Sequence, residues 1–360
     1  MEASMNTRRF TALKLAPAPA IVFFVLMVMS QEAFAATPAE QALGFLKSRI
    51  RPLGLLDSFV EDKTDYSYTY DNALAALAFL AAGDPLSAQR VLDGFVGIGP
   101  DPSGGFLHRY RISGATAGGT LSAGHNAYLL QAMNLFSWRT GDHRYDGTAR
   151  GIADFLLRLQ DSSDGGIFGR TGVTWKSTEN NLATYSAVAN LALVQNLPAY
   201  GLRAAQIEDF LIRECWNGAR FLTGKNDPTI VTDAQALGVQ ILGAGYGNGS
   251  FWVESYTKAT QRYSGAKKVT GFDLNTDRDT VWTEGTLQQA LAFWLAGDNA
   301  RSNLYRAESE KLLQPSGAFW AASNRGTTGF GDFFERWQAV APTAWYLLLS
   351  NQDNVLSLLP

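Results

Sequence analysis

The sequence has a single cysteine, Cys215, and three histidines in 360 residues. No internal disulfide can form from one thiol, so the fold rests on its apolar core. The histidines His108, His125 and His143 show no HExxH or other metal-ligand spacing. Walker, GxGxxG and GxSxG signatures are absent, which removes the usual nucleotide-binding and serine-hydrolase readings. "GAGYGNGS" (243–250) follows a helical pattern instead of a strand and reads as a turn. Basic runs are also missing, so nucleic acid is not an expected partner. Cys215, beside Trp216, reads as packing.

Long apolar runs are confined to the N-terminus. Arg8, Arg9 and Lys14 precede an apolar stretch from Ala16 to Met29 that ends in Ala33-Phe34-Ala35. That order predicts a signal peptide over residues 1–35, cleaved after Ala35, and a periplasmic or secreted protein. No later stretch approaches the roughly 20 apolar residues of a membrane span. Glu2 and Glu32 leave with the three basic residues, making the remainder one unit more negative than the −3 of the whole chain.

What is abundant is internal repetition. "YDNALAALAFLAAGD" (70–84), "HNAYLLQAMNLFSWRTGD" (125–142) and "WTEGTLQQALAFWLAGD" (282–298) share a polar start, an apolar body and a Gly-Asp stop. Segments 177–194, 232–245 and 341–350 fit more loosely. Asp71, His125, Glu179 and Asp233 are spaced 54 apart, with Glu284 and Ala341 following after 51 and 57. A near-constant period argues for one repeated unit over 36–360. Amphipathic segments lie between, at 38–50, 85–96, 143–160, 201–215, 250–263 and 299–313; in the third, Ile152, Phe155, Leu156 and Leu159 share one face. Six all-apolar helices alternating with six half-exposed ones predict an all-α double ring, the (α/α)6 toroid, with an open solenoid as the alternative. The joining loops carry a glycine-aromatic pattern, as in "SGGFLHRY", "DGGIFG", "NGARFLTG" and "SGAFWAAS".

Through these repeats, and through "RTGDHRY…ARGIADFLLRLQ…DGGIFG", the chain resembles the six-hairpin glycosidase-like superfamily across essentially all of 36–360. The resemblance implies a carbohydrate-active protein. No member's catalytic signature is intact, so no residue role carries over. The same toroid serves terpene cyclases and lanthionine cyclases, but DDxxD, DxDD and a Cys/His zinc set are all absent.

If the inner helices run parallel, their N-termini converge on one mouth of the ring. Asp71, His125-Asn126, Glu179-Asn180, Asp233 with Gln235, Glu284, and Thr343 with Trp345 then meet. Acidic residues at helix starts are also favoured simply as caps. Aromatic neighbours favour function: Tyr70 beside Asp71, Trp175 near Glu179 and Trp282 near Glu284 suit a sugar ring, although each tryptophan also suits a core. Glycoside hydrolysis needs one protonated and one ionised carboxylate. Glu179 is expected as the acid, desolvated by Trp175, and Asp71 as the base, with Asp233 and Glu284 as substitutes.

Substrate contacts are expected from Tyr70, His125, Asn126, Trp175, Asn180, Trp282, Asp277 and Asp279. A polysaccharide or oligosaccharide is the expected partner, and His108, Arg109, Arg111 and Lys176 could pair with a uronate. A sugar epimerase or polysaccharide lyase would instead use Tyr66, Tyr68, Tyr70 or His125, and a binding or export factor would lack a productive carboxylate pair. No cofactor is expected. "GFDLNTDRDTVWTEGTLQQA" (271–290) raises calcium, because Asp273, Asn275, Asp277, Asp279 and Glu284 fall on EF-hand positions, but Arg278 occupies the position that needs glycine. Calcium in another geometry is the lesser alternative.

Overall fold

The computed structural model describes residues 36–358; the expected signal peptide lies outside the described residues. Among them are α1 (Pro38–Arg49), α2 (Thr69–Ala81), α3 (Pro85–Ile98), α4 (Ala123–Thr140), α5 (Asp146–Arg158), α6 (Thr178–Val194), α7 (Pro198–Phe210), α8 (Thr232–Leu242), α9 (Gly249–Tyr256), α10 (Thr283–Leu295), α11 (Asn299–Glu310) and α12 (Val340–Ser350).

The even-numbered helices are buried nearly all round: in α2 every residue from Ala73 to Leu80 is 5% exposed or less. Alanine at many of these positions lets backbones approach closely. Each packs on the next, and α12 returns to α2. That contact closes the ring and rules out an open solenoid. The odd-numbered helices bury one stripe against this inner set, as α5 does with Ala149, Ile152, Ala153, Phe155 and Leu156. The Gly-Asp stop has a local cause. Gly141 ends α4 in the left-handed conformation at φ 70°, while Asp84 and Asp298 start the next outer helices by accepting from the Ser87 and Arg301 amides at 3.1 and 2.9 Å.

One segment departs from expectation. Residues 250–263 form only the short α9, followed by a strand, Lys258–Ser264, paired antiparallel with Lys267–Phe272. Ala259 is buried and Thr260 exposed on either side of the strand, an alternation that a helix cannot satisfy.

A repeated clamp fixes how each inner helix enters the ring. Asn126 accepts from the Phe106 amide at 2.7 Å and donates to the Phe106 carbonyl at 2.9 Å. Asn181 does the same for Ile167, Gln235 for Phe221, Asn72 for Leu56 and Thr286 for Phe272. Thr343 accepts from the Phe319 amide at 3.0 Å. The glycine-aromatic loops are thus the partners of these clamps. Gly165 shows why glycine precedes the aromatic or aliphatic residue: its φ is 85° and an added Cβ would lie 2.5 Å from the Gln206 carbonyl.

At the opposite mouth, residues 351–358 fold across the C-terminal ends of the inner helices. Gln131 and Asn190 donate to the Val355 and Leu356 carbonyls, Ser186 bonds Leu356, and Asn354 donates to the Gln240 carbonyl. These bonds satisfy polar groups otherwise stranded in an apolar ring. With that end covered by described residues, the ring interior opens at the mouth where the inner helices begin.

Candidate active site

The clamps define equivalent positions. Two residues before each clamp stand Tyr70, Gly124, Glu179, Asp233, Glu284 and Ala341; one residue before stand Asp71, His125, Asn180, Ala234, Gly285 and Pro342. The 54-residue period therefore slips by one between α4 and α6. Asp71 is equivalent to Asn180, not to Glu179. One residue turns a side chain by about 100° around a helix, and this decides which carboxylates face the cavity.

Glu179, Asp233 and Glu284 line an inner cavity of about 280 Å³ together with Tyr70, His125, Tyr128, Asn180, Trp282 and Gln288. Asp71 does not line it. It is 6% exposed, with its carboxyl raised to about 7 by burial and held back by Ser58, and its charge adds to the rise of Glu284. Gly124 keeps the cavity open, since a Cβ there would lie 2.2 Å from Asn180 Oδ1 and 3.3 Å from Glu179 Oε1.

The three cavity carboxylates differ in their surroundings. Burial, with Asp233 and Glu284 nearby, raises Glu179 to about 8, and no donor opposes it. Glu284 is also raised to about 8 by burial, yet Tyr70 donates its hydroxyl to Oε1, Gln288 Nε2 donates to the same oxygen at 3.2 Å, and Trp345 opposes the rise as well. Asp233 reaches about 6 by burial, opposed by the Ala234 amide at 2.7 Å and by its own amide. The donors around Glu284 favour its ionised form, whereas Glu179 is free to hold a proton. Tyr70 packs edge-on against Tyr128 at 4.7 Å. His125 is pushed down to about 4 by burial and by His108, so its ring is neutral; its Nδ1 is buried without a partner.

Glu179, Asn180, Asp233 and Leu274 also border a larger outer cavity of about 610 Å³, at whose rim stand Trp175 and Phe330. Trp175 is 51% exposed, its indole seated over Gly169, where a Cβ would lie 1.8 Å from the ring. The burial of Glu179 therefore comes chiefly from the ring interior and not from Trp175. Trp282 is 9% exposed and stacks on Phe334 at 5.3 Å over the inner cavity.

The other expected residues do different work. Asn126 is wholly buried as a clamp. Asp277 and Asp279 hold the 326–334 hairpin, the former accepting from Thr327 Oγ1 at 2.7 Å and the latter from its amide at 2.9 Å. Through that hairpin they place Thr328, Phe330 and Phe334 over the cavities. The groups expected for a uronate are already engaged: Lys176 pairs with Asp161 and Asp164 at 2.6 Å, Arg111 with Asp65, and Arg109 stands 4.6 Å over Tyr66. No lysine or arginine lines the inner cavity among the described residues.

Asp273, Asp277 and Asp279 have carboxylate oxygens within 4.8 Å of one another and form the group that could hold a cation. Backbone amides of Leu274 and Thr280 already meet Asp273 at 2.7 and 3.1 Å. Glu284, the last position of the EF-hand pattern, faces Tyr70 instead.

Tyr128 and Gln288 were not among the expected residues. Each lies four residues after a cavity-facing position, Gly124 and Glu284, which is the spacing that would have found them.

No family model matches the sequence, and no curated protein matches it. Solved structures do. A glycosidase carrying a Glu-to-Ala substitution, in complex with glucose, is 15% identical with a TM-score of 0.68 over 90% of this chain and 97% of that one. D-mannose isomerase is 13% identical, with a TM-score of 0.66 over 91% and 99%. A bacterial glucoamylase complexed with acarbose is 14% identical, with a TM-score of 0.65 over 90% of this chain and 56% of that one. At such identities the likeness speaks for the fold alone, and that fold is the (α/α)6 toroid.

Proposed function

We propose that this chain is an exported glycoside hydrolase in which Glu179 is the general acid and Glu284 the general base or nucleophile. The observation that carries it is the contrast between these two carboxylates. They stand on α6 and α10, two places apart around a ring of six, so a sugar in the inner cavity lies between them. Both carboxyls are raised to about 8, but no donor faces Glu179, while Glu284 accepts from Tyr70 and Gln288, so of the two it is Glu284 whose ionised form is supported. That is the division of labour glycosidic cleavage needs. Asp71, the base expected from spacing alone, is replaced by Glu284 in this proposal because it does not line the cavity.

Glu179 also borders the outer cavity, where it reaches the oxygen joining a sugar held inside to one held outside. An interior open at one mouth favours removal of units from a chain end. The absence of a free cation in the inner cavity favours a neutral sugar there. Trp282 and Phe334 supply apolar faces for it. Export follows from residues 1–35, and sequencing the N-terminus of the protein recovered outside the cytoplasm would find Ala36 first.

The test is hydrolysis of a panel of neutral polysaccharides by Glu179→Gln and Glu284→Gln. Each variant should lose about 10²- to 10⁴-fold in kcat. Glu179→Gln should recover on an aryl glycoside whose phenol leaves without protonation, and Glu284→Gln should recover with added azide. Full activity in both variants overturns the proposal.

His125 supports a second reading. A neutral imidazole with an unpartnered Nδ1 on the cavity wall, in a fold shared with D-mannose isomerase, suits proton transfer in a sugar epimerase or isomerase. Incubation with aldoses followed by proton NMR separates the two, since isomerisation yields a new sugar with no bond hydrolysed. A protein that binds glycans and does neither is a binding factor.

A further inference from the structure

Beyond the two cavities, a third depression of about 530 Å³ lies on the outside of the mouth, lined by Thr229, Val231, Tyr256, Asn275 and Phe330. Val231 and Phe330 border the outer cavity as well, so the three spaces adjoin one another in order from the ring interior outward. Aromatic rings stand along all of it. Trp282 and Phe334 are innermost, Trp175 and Phe330 follow at the rim, and Tyr256 is outermost. Phe330 is 58% and Tyr256 41% exposed, so both rings offer a face to a ligand.

The outer groove is built, not incidental. Tyr256 stacks on Trp252 with rings 5.3 Å apart and 15° from parallel, so it presents a flat face on a rigid backing. Arg220, only 8% exposed, stands 5.3 Å from the Trp252 ring centroid. The same guanidinium donates to the carbonyls of Phe221, Pro228 and Thr229 at 3.0, 2.5 and 3.2 Å. One buried cation thus fixes both the aromatic platform and the facing loop, and its charge is spent on them instead of on a ligand. Asn275 stands at the groove wall, where its side chain accepts from the Asp277 amide at 2.7 Å and donates to the Thr327 carbonyl at 3.4 Å, leaving the second lone pair of its oxygen for a hydroxyl.

We infer that this groove is a distal subsite for the part of a neutral glycan chain that extends out of the cavity, so that the protein acts on long chains in preference to short ones. The inference rests on the hydrolase reading for the chain's direction. A sugar ring offers apolar C–H faces that stack on aromatic side chains and hydroxyls that bond to amides. The groove's place next to the outer cavity, with Val231 and Phe330 lining both, identifies the occupant as the same chain.

The experiment is titration calorimetry with neutral homo-oligosaccharides, from the disaccharide to the heptasaccharide, of α-1,4-glucan, β-1,4-glucan, β-1,4-linked N-acetylglucosamine and β-1,4-mannan. The full exported chain, wild type and Tyr256→Ala, serves in each titration. Affinity should rise beyond the trisaccharide for at least one series. Tyr256→Ala should remove that gain, about tenfold, and leave disaccharide affinity unchanged, with a melting temperature lower by no more than the few degrees that the lost Trp252 stacking accounts for. Tyr256→Trp should restore it. The inference is overturned if no series gains affinity beyond the trisaccharide, or if Tyr256→Ala keeps the gain. Length-dependent binding without cleavage would retain the groove and remove the hydrolase. Cleavage without length dependence would do the reverse.

Discussion

Replacing Tyr70 by Phe tests the assignment of Glu284 as the ionised partner. The Tyr70 hydroxyl donates to Glu284 Oε1 and receives a bond from Trp345 Nε1 at 3.3 Å. Its ring packs against Tyr128 at 4.7 Å, a contact that Phe retains, so the cavity keeps its shape. A hydrogen bond to a charged group contributes about 1.5–3 kcal/mol, so its loss should lower kcat/KM roughly 10- to 150-fold. The sign of the pH effect follows as well. Tyr70 holds the Glu284 carboxyl down against burial, so without it the proton binds more tightly and the acidic limb of the kcat/KM profile moves up by about one to two units. The assay is kcat/KM against pH, on whichever glycan of the panel is hydrolysed, with melting temperature as control. Trp345 loses its acceptor, so a fall of a few degrees is expected. An unchanged acidic limb with full kcat/KM would refute the idea that Glu284 works in its ionised form, and a change confined to KM would make Tyr70 a binding residue.

Asp71→Asn should retain activity within about tenfold, because the side chain does not line the inner cavity and reaches Glu284 only through its charge; a loss as large as that of Glu179→Gln would return Asp71 to the catalytic pair. Gly124→Ala should cut activity strongly and cost about 1–3 kcal/mol of stability, since its Cβ meets Asn180 Oδ1 at 2.2 Å; kinetics and denaturant unfolding report the two effects. Asn181→Ala should cost about 2–5 kcal/mol in denaturant unfolding, because it strands the buried Ile167 amide and carbonyl. Stability should also fall as pH rises. Glu179, Glu284, Asp71 and Asp233 keep protons up to about 8, 8, 7 and 6 in the fold and release them near 4 when unfolded, so between those values the folded state binds more protons. Melting should come lower at pH 8 than at pH 5, with a smaller difference in Glu179→Gln; equal melting temperatures at the two pH values would mean that these groups titrate normally.

Much of the architecture is written in local signals. The Gly-Asp stops, the polar helix starts and the contrast between all-apolar and one-sided helices depend only on residues within a few turns of one another, so they survive reading without coordinates. The hairpin at 258–272 was missed because its first strand, Lys258–Ser264, buries only Ala259, too little to outweigh a helical reading of the preceding segment. The glycine-aromatic loops were visible as a pattern, but their purpose was not. Phe106 and Ile167 are the partners of Asn126 and Asn181, at distances of 20 and 14 residues along the chain.

By itself the sequence determined that six inner and six outer helices alternate, and that carboxylates and aromatics gather where the inner helices begin, because period and capping are properties of the local chain. Which carboxylates face one another was decided only by the tertiary structure. A 54-residue spacing set Asp71 level with Glu179, yet the clamps seat α6 one residue later than α4, and that step takes Asp71 off the cavity lining while Tyr70 takes the place beside Glu284. Side-chain direction turns about 100° with each residue, so the composition of the site hung on loop hydrogen bonds that no repeat spacing could reveal.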